Sequence, residues 1–133
     1  YASPDGGAYW GFLGEIEMEN PHPLACTPYP MIRRDGAILC AVRRQYSGAD
    51  AFTQVYISED GGLRWRCLSR VNEWGAPANL VELSDGRIVC VYGFRHRPFG
   101  IRARVSELAR DVSEVIAAEA ESAMGTTRSG GIW

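Results

Sequence analysis

The sequence has little of what marks several common classes of protein. Its 133 residues include two histidines and four cysteines, and none of the cysteines lies in a CxxC pair. This spacing gives no support for a zinc site or a thiol redox motif. We expect Cys26, Cys40, Cys67 and Cys90 to be buried free thiols. The formal net charge of −2 also lacks the basic excess that is usual in nucleic-acid-binding domains.

Long apolar runs are missing as well. No stretch is long enough for a membrane-spanning helix, and no charged-then-apolar leader opens the chain. We therefore expect neither a nucleic-acid nor a membrane partner, and the compartment stays open. Because the chain begins at Tyr1 without a methionine, we expect it to be a fragment or a processed product. The 15 glycines and 7 prolines are typical of a globular domain with many turns.

An internal repeat is the first positive feature of the sequence. The pair Asp35-Gly36 recurs 50 residues later as Asp85-Gly86. Such a pair between two apolar stretches is typical of a hairpin turn, because glycine adopts the positive φ that these turns require. The second strand of each hairpin, 37–42 or 87–92, is continuously apolar, which predicts a strand covered on both faces.

A second repeated element is more specific. The pattern S-x-D-G-G-x-x-W occurs at 3–10 and again at 58–65. The aspartate can accept backbone N–H groups of its own turn, the serine can fix the same turn, and the glycines supply conformations closed to other residues. We expect the tryptophan to pack back onto the sheet. The defining residues are Ser3, Asp5, Gly7, Trp10, Ser58, Asp60, Gly62 and Trp65.

Two further stretches complete the pattern. The alternating polarity of 53–57 predicts a half-buried strand that leads into the second turn. A third turn is expected near Ser106, where the motif has decayed. The stretch 105–124 is rich in alanine and glutamate and fits either a degenerate hairpin, which we favour, or a short helix.

The two turns resemble the Asp box, or BNR repeat, of the sialidase superfamily. The stretch 77–106 also looks like bacterial sialidase-like proteins, so the likeness runs from Ser3 to about Ser106. The resemblance implies an all-β fold of antiparallel four-stranded propeller blades, with each box between the third and fourth strands. The chain 1–133 is then one partial propeller domain: 1–20 ends one blade, 21–73 is a complete blade, and 74–133 is a further blade with a degenerate C-terminal edge.

The ring implied by this resemblance is incomplete. Sialidases have six blades, and this chain supplies about two and a half. An open stack of blades exposes strand edges and apolar faces, which favour association. We therefore expect a homo-oligomer that forms through the open blade edges.

The resemblance implies a relative of the exo-sialidases, which are glycoside hydrolases. These enzymes use a tyrosine nucleophile assisted by a glutamate, an aspartate as acid and base, and three arginines that hold the sugar carboxylate. Here Pro28 stands where the first arginine is expected, and no tyrosine–glutamate pair can be placed. We expect the isolated chain not to be catalytic. The alternatives are a lectin-like carbohydrate-binding module formed by oligomerisation and a structural or protein-binding blade fragment.

The loops that follow the second strands hold the candidate substrate-binding residues. Arg44 and Asp50 best match the family's supporting arginine and its acid–base aspartate, and Tyr92 and Arg95 lie similarly one repeat later. The alternative is that these are solvated loop residues whose arginine stems cover apolar surface. His96 is expected to be a spectator.

The resemblance implies sialic acid or another acidic or neutral glycan as the ligand, and no cofactor. We also expect no metal site at the boxes, because each box offers a single carboxylate to a cation that usually takes several oxygen ligands.

Overall fold

A computed structural model describes residues 1–18, 24–47 and 50–106, which form an all-β structure. These residues contain no helix, and hence none that could cross a membrane. The strands are β1 (Leu24–Ile32), β2 (Ile38–Ser47), β3 (Asp50–Ser58), β4 (Arg66–Arg70), β5 (Gly75–Glu82), β6 (Ile88–Phe94) and β7 (Gly100–Val105).

The strands form two open antiparallel sheets. The first sheet has the order β1-β2-β3-β4 and the second has the order β5-β6-β7, so each strand pairs with its neighbour in sequence. The first sheet lies within 21–73, where the sequence predicts a four-stranded unit. The hairpin or helix predicted at the C-terminal edge falls on 107–133, outside the described residues.

The hairpins predicted at the two Asp-Gly pairs are confirmed. The φ angle is 91° at Gly36 and 87° at Gly86, in the region that favours glycine. In each turn the aspartate Oδ1 accepts the backbone N–H two residues later, at 3.0 Å for Asp35 and 3.1 Å for Asp85. The two turns are therefore built in the same way, 50 residues apart.

The first sheet is covered on both faces. Residues Leu39–Val42 of β2 are each 2–3% exposed, as predicted for a doubly covered strand. Strand β3 is also buried on both faces, so the half-buried strand predicted there is wrong. The polar side chain of Thr53 is buried without an unpaired hydroxyl, because this group donates to the carbonyl oxygen of Gly75 at 2.8 Å. Strand β6 is buried on one face, and Val91 on its other face is exposed, contrary to prediction.

The main core lies between the two sheets. One face of the first sheet packs against one face of the second, which removes both apolar surfaces from water. The buried members are Leu39, Ala41, Val55, Ile57, Leu68 and Val71 from the first sheet and the segment after it, and Ala78, Leu80, Ile88, Cys90 and Tyr92 from the second sheet.

A smaller cluster covers the opposite face of the first sheet. Its buried members are Cys40, Val42 and Tyr56, and Ile16 and Met18 pack against them. The order of layers is therefore the segment 11–18, then the first sheet, then the second sheet.

The two sheets present equivalent faces in the same direction. Cys40 of β2 faces the segment before its sheet, and the repeat-equivalent Cys90 of β6 faces the first sheet. The face of the second sheet that points away carries exposed apolar side chains, of which Ile101 is 82% exposed. The repeats are therefore stacked head to tail.

The second box joins β3 to β4, and the predicted roles of its aspartate as an acceptor of backbone N–H and of its serine in fixing the turn are confirmed. Ser58 Oγ donates to Asp60 Oδ1 at 2.9 Å and accepts the Gly62 N–H at 2.8 Å. Asp60 Oδ1 also accepts the Arg64 N–H at 2.9 Å, and Trp65 Nε1 donates to the Gly62 carbonyl oxygen at 3.0 Å.

The first box repeats these bonds at equivalent positions. Ser3 Oγ donates to Asp5 Oδ1 at 2.9 Å, Gly7 N donates to Ser3 Oγ at 2.6 Å, and Trp10 Nε1 donates to the Gly7 carbonyl oxygen at 3.1 Å. The two turns are therefore equivalent, as predicted.

The two box tryptophans differ in how they pack. Trp65 packs against the smaller cluster, as predicted. Trp10 is 60% exposed, so the same prediction for the first box is wrong. The described residues around that box form only the bridge between Ala2 and Gly11, which offers no sheet for the ring to cover.

The cysteines are free thiols, as predicted, but they are not all buried. Cys40 and Cys90 are buried, Cys26 is half-buried and Cys67 is exposed. Burial raises the pKa of the Cys40 thiol to about 11 and that of the Cys90 thiol to about 12. The exposure of Cys67 corrects the sequence-based expectation, since β4 is an edge strand of its sheet.

We expect Ser58→Ala to lower the free energy of unfolding by about 1–3 kcal/mol, because it leaves the buried Gly62 N–H without its acceptor. Ser3→Ala is the matched control, since it removes the same bond from an exposed turn where water replaces it. Urea denaturation of both variants measures the difference. Equal losses would contradict the proposed role of burial.

The hydrogen bonds to the Asp60 carboxylate are expected to contribute to stability in a way that depends on pH. The N–H of Arg64, followed by its guanidinium, lowers the pKa of this carboxyl from 3.8 to about 2. The contribution is therefore full above pH 3.8 and is lost as the pH falls through about 2. We expect the Asp60→Asn variant to melt at a lower temperature than the wild type at pH 7. As the pH is lowered to about 2, the two melting temperatures are expected to converge. A difference that stays constant with pH would contradict this.

Candidate functional site

The candidate residues lie at one end of the sheets, which we call the upper end. It comprises the ends of β2, β4 and β6, the starts of β3, β5 and β7, and residues 71–74. The Asp-Gly hairpins and the second box lie at the opposite, lower end. Loops after alternate strands of an antiparallel sheet share one edge, which places repeat-equivalent residues side by side.

Arg44 is enclosed on the face of the first sheet that meets the segment 11–18. It is 4% exposed, its Nη1 donates to Tyr56 Oη at 3.2 Å, and the same nitrogen contacts Met18 Sδ. Its guanidinium therefore joins the N-terminal segment to the first sheet.

Tyr92 lies on the other side of the first sheet, in the core between the sheets. Its ring packs against Gly75 so closely that a Cβ on the glycine would come within 2.2 Å of the ring. Arg44 and Tyr92 are thus separated by the first sheet, and the four predicted residues do not form one pocket.

Asp50 and Arg95 lie at the surface of the upper end. The main chain of Arg95 donates to the carbonyl oxygen of Trp74 at 2.9 Å, and its Nε donates to that of Ala76 at 2.7 Å. Asp50 Oδ1 lies 3.7 Å from His96 Nε2, close enough for an ion pair with a protonated ring but too far for a hydrogen bond. The structure therefore brings Asp50 close to the loop that carries Arg95.

His96 and Trp74 take part in this arrangement, although no role is predicted for either from the sequence. Their ring centroids are 4.6 Å apart at an interplanar angle of 35°, and the histidine reaches Asp50 of the other sheet. Trp74 is 44% exposed. The His96 ring therefore bridges the two sheets, and that it is a functional spectator stays a prediction. No local pattern could have found this contact, since the three residues are far apart in the chain.

A hydrogen-bonded link beneath this stack fixes the two sheets at the upper end. Asn72 Oδ1 accepts the Thr53 N–H at 3.3 Å, which extends the pairing of β3 with β4 beyond Arg70. The Thr53 hydroxyl then bonds the carbonyl oxygen of Gly75, at the start of β5. This link holds Trp74 in place, since that residue lies between Asn72 and Gly75 in the chain.

Two arginines at the upper end lie over aromatic rings. The Arg70 guanidinium carbon is 3.8 Å from the centroid of Phe52, and that of Arg102 is 3.3 Å from the centroid of Phe94. Both are cation–π contacts, in which the ring quadrupole attracts the positive charge. The second contact holds the Arg102 guanidinium on the side of the second sheet that faces the core.

Charge is distributed unevenly between the two ends. At the lower end four arginines each pair with a carboxylate at 2.8–3.4 Å, namely Arg33, Arg64, Arg66 and Arg87. At the upper end Arg70 pairs with Glu73 at 2.8 Å. Four other arginines there have no carboxylate partner within the described part of the chain: Arg43, Arg95, Arg97 and Arg102. The upper end therefore carries the uncompensated positive charge.

The described residues contain no group of three or more histidine, cysteine, aspartate or glutamate side chains placed to hold a metal ion. This end of the molecule offers arginine, histidine, amide and aromatic side chains, together with the carboxylates of Asp50 and Glu73. Such a set binds oxygen-rich and anionic groups.

We expect Gly75→Ala to destabilise the protein by about 1–3 kcal/mol, because the new methyl group would overlap the Tyr92 ring and press on Asn72 Nδ2. Gly100→Ala is the control, since Gly100 also begins a strand and a Cβ there meets no atom within 4 Å. Thermal unfolding of both variants measures the effect, and a neutral Gly75→Ala would contradict the packing at this link.

No protein-family model matches the chain, and no curated protein sequence matches it. The chain is similar to a crystal structure of a protein of unknown function from Dyadobacter fermentans DSM 18053. The sequences are 26% identical and the TM-score is 0.60, with 77% of this chain covered. The match covers 28% of that protein, so this chain spans well under half of its length.

Proposed function

We propose that this chain is part of a sialidase-type β-propeller related to the exo-sialidases, and that its upper end binds a glycan. The observation that carries the proposal is the pair of boxes with the same hydrogen bonds. The second of them joins the third and fourth strands of a four-stranded antiparallel sheet. This is the position that the resemblance to sialidases implies for an Asp box.

The stacking of the sheets supports the propeller arrangement. Both sheets turn the equivalent face, marked by Cys40 and Cys90, toward the preceding layer. Repetition of one such step with a constant rotation generates a ring of blades, whereas a sandwich of two repeats related by a twofold axis would turn their equivalent faces toward each other.

The chemistry of the upper end supports glycan binding. Arginines without a carboxylate partner among the described residues lie at the same end as an exposed tryptophan that stacks on His96. Arginine binds carboxylates through its planar fork, and aromatic rings provide apolar surface for a sugar ring. Sialic acid, or another acidic glycan, combines both features.

Hydrolysis by the isolated chain is not part of this proposal. Pro28, in β1, replaces the arginine that the resemblance implies. Arg44 and Tyr92 are engaged in packing on opposite sides of the first sheet. Asp50 lies at the surface beside His96, which leaves it without the enclosed, water-poor setting that makes charged groups effective in catalysis.

A second candidate, a lectin-like module assembled from several copies, is favoured by one observation. The outward face of the second sheet carries exposed apolar side chains, including Val81, Val91, Ile101 and Val105. Exposed apolar surface of this kind drives association when a complementary face is available. A blade fragment with a purely structural or protein-binding role is the remaining alternative.

These functions are separated by measuring mass and ligand binding on one sample of the full chain. We expect light scattering to give an oligomer, a fluorogenic sialoside to show no turnover, and a glycan array to show retention of sialylated over neutral glycans. No retention of any glycan would favour the structural fragment. A monomer whose turnover disappears in Arg44→Ala would overturn the proposal that the isolated chain does not hydrolyse sialosides.

A further inference from the structure

We infer that His96 is a pH-sensitive switch at the upper end of the interface between the two sheets. When its imidazole is charged, the ring joins the loop 95–99 to Asp50 of the first sheet. When the imidazole is neutral, this contact is released. The switch consists of Asp50, Trp74 and His96. The inference goes beyond the proposed function and does not rest on it, because the switch needs no ligand.

One nitrogen of the His96 ring is shielded from water and faces the first sheet. His96 Nε2 is buried and has no hydrogen-bond partner among the described residues. The Asp50 carboxylate at the start of β3 lies opposite, with Oδ1 3.7 Å from this nitrogen. The histidine side chain as a whole is 41% exposed, so solvent reaches other parts of the ring. The ring can therefore exchange protons with solvent, although the nitrogen that faces Asp50 is not hydrated.

The charge of the ring decides whether this contact is favourable. A neutral imidazole with its hydrogen on Nδ1 turns the Nε2 lone pair toward a negative oxygen. A neutral imidazole with its hydrogen on Nε2 leaves that donor 3.7 Å from the acceptor, beyond hydrogen-bond distance. A protonated imidazole instead presents positive charge to the carboxylate at a distance where opposite charges attract. The contact between His96 and Asp50 is therefore favourable for the charged ring.

Trp74 favours the same charge state from a second direction. Its ring centroid lies 4.6 Å from that of His96, at an interplanar angle of 35°. A cation over the face of an indole is attracted by the quadrupole of the aromatic ring. The Phe94 ring lies further from the histidine, at 6.5 Å. The protonated ring thus gains from two contacts, of which only the ion pair with Asp50 reaches the first sheet.

The other charged groups near the switch act more weakly on the ring. Glu73, next to Trp74 in the chain, pairs with Arg70 at 2.8 Å. Arg95 and Arg97 flank His96 in its own loop and oppose a further positive charge, but both side chains are exposed, where water and salt screen them. The nitrogen that faces Asp50 is enclosed, so the attraction to the carboxylate is screened less.

Release of the ring is expected to be a local change. Beneath the switch, Thr53 bonds Asn72 Oδ1 and the Gly75 carbonyl oxygen, and none of these groups titrates. The main chain of Arg95 also stays bonded to the carbonyl oxygen of Trp74. The residues after His96 in the loop, 97–99, are exposed. Loss of the ion pair therefore frees residues 96–99 and the Trp74 ring and leaves the two sheets packed together.

The pH range of the switch follows from the two groups that form the ion pair. Histidine changes charge between about pH 5 and 8, and carboxylates take up protons near about pH 4. The ion pair therefore exists between about pH 4 and 6. Its contribution to stability is present in this range and is lost as the pH rises toward about 8, because the ring loses its proton.

Tryptophan fluorescence of the full chain reports the charge of the ring. A protonated imidazole in contact with an indole quenches its emission, and Trp74 is the tryptophan that stacks on a histidine among the described residues. We expect the emission to rise between about pH 5.5 and 8 and the rise to be absent in His96→Gln. His22→Gln, which replaces the other histidine of the chain, is the matched control and is expected to keep the rise.

Thermal unfolding tests the ion pair itself. We expect Asp50→Asn to lower the melting temperature by about 2–4 °C at pH 5.5, where the ring is charged, and to have little effect at pH 8. His96→Gln is expected to do the same, and the double variant to lose no more than either single variant, since the two residues act as a pair. Asp35→Asn, at the lower end, is the control and is expected to have the same effect at both pH values.

Each contrary outcome overturns the switch. An emission rise that persists in His96→Gln would show that Trp74 does not sense this ring. Equal effects of Asp50→Asn at the two pH values, or effects of Asp50→Asn and His96→Gln that add in the double variant, would show that the pair is not coupled. No glycan enters these measurements, so the proposed function is unaffected by their result.

Discussion

Burial of the first sheet on both faces is the constraint on which the rest of the structure depends. Because side chains alternate across a strand, Leu39 and Ala41 must be covered from one side and Cys40 and Val42 from the other. The segment 11–18 and the second sheet provide these two covers. The polar links at the upper end, from Thr53 through Asn72 to Gly75, lie at the margin of this burial and align the layers.

The parts of the fold that the sequence predicts are those determined by short stretches of chain. The Asp-Gly hairpins and the boxes are local: an aspartate bonds an N–H two or four residues away, and the pattern is visible in eight letters. The burial of β3 could not be predicted in this way, because the hydroxyl of Thr53 finds its acceptor 22 residues later. Trp10 and Trp65 have the same local sequence pattern and differ in exposure, since what lies beneath each ring is decided elsewhere in the chain.

The candidate site shows the same division. Arg44, Asp50, Tyr92 and Arg95 are predicted to lie in the loops after the second strands, but Arg44 and Tyr92 lie within β2 and β6 and Asp50 begins β3. Only Arg95 lies in such a loop, because both second strands extend further than their apolar stretches indicate. Arg44 and Tyr92 lie on the equivalent faces that Cys40 and Cys90 mark, and they are on opposite sides of the first sheet because they belong to two successive sheets. Asn72, Trp74 and His96 carry no motif. These residues come together only where the two sheets meet. No single segment of the sequence contains the information that predicts this contact.

The head-to-tail order of the layers limits how copies of this molecule can associate. A twofold dimer joins a patch to the same patch, whereas a head-to-tail contact would join the outward face around Val91 to the opposite end of the layer order, where the segment 11–18 covers the Cys40 face. An interface between two different patches is heterologous, and each added copy again offers a free outward face. Addition of copies through this contact ends only when the rotation between successive copies closes a ring. Without closure, repetition of a heterologous contact produces a fibre.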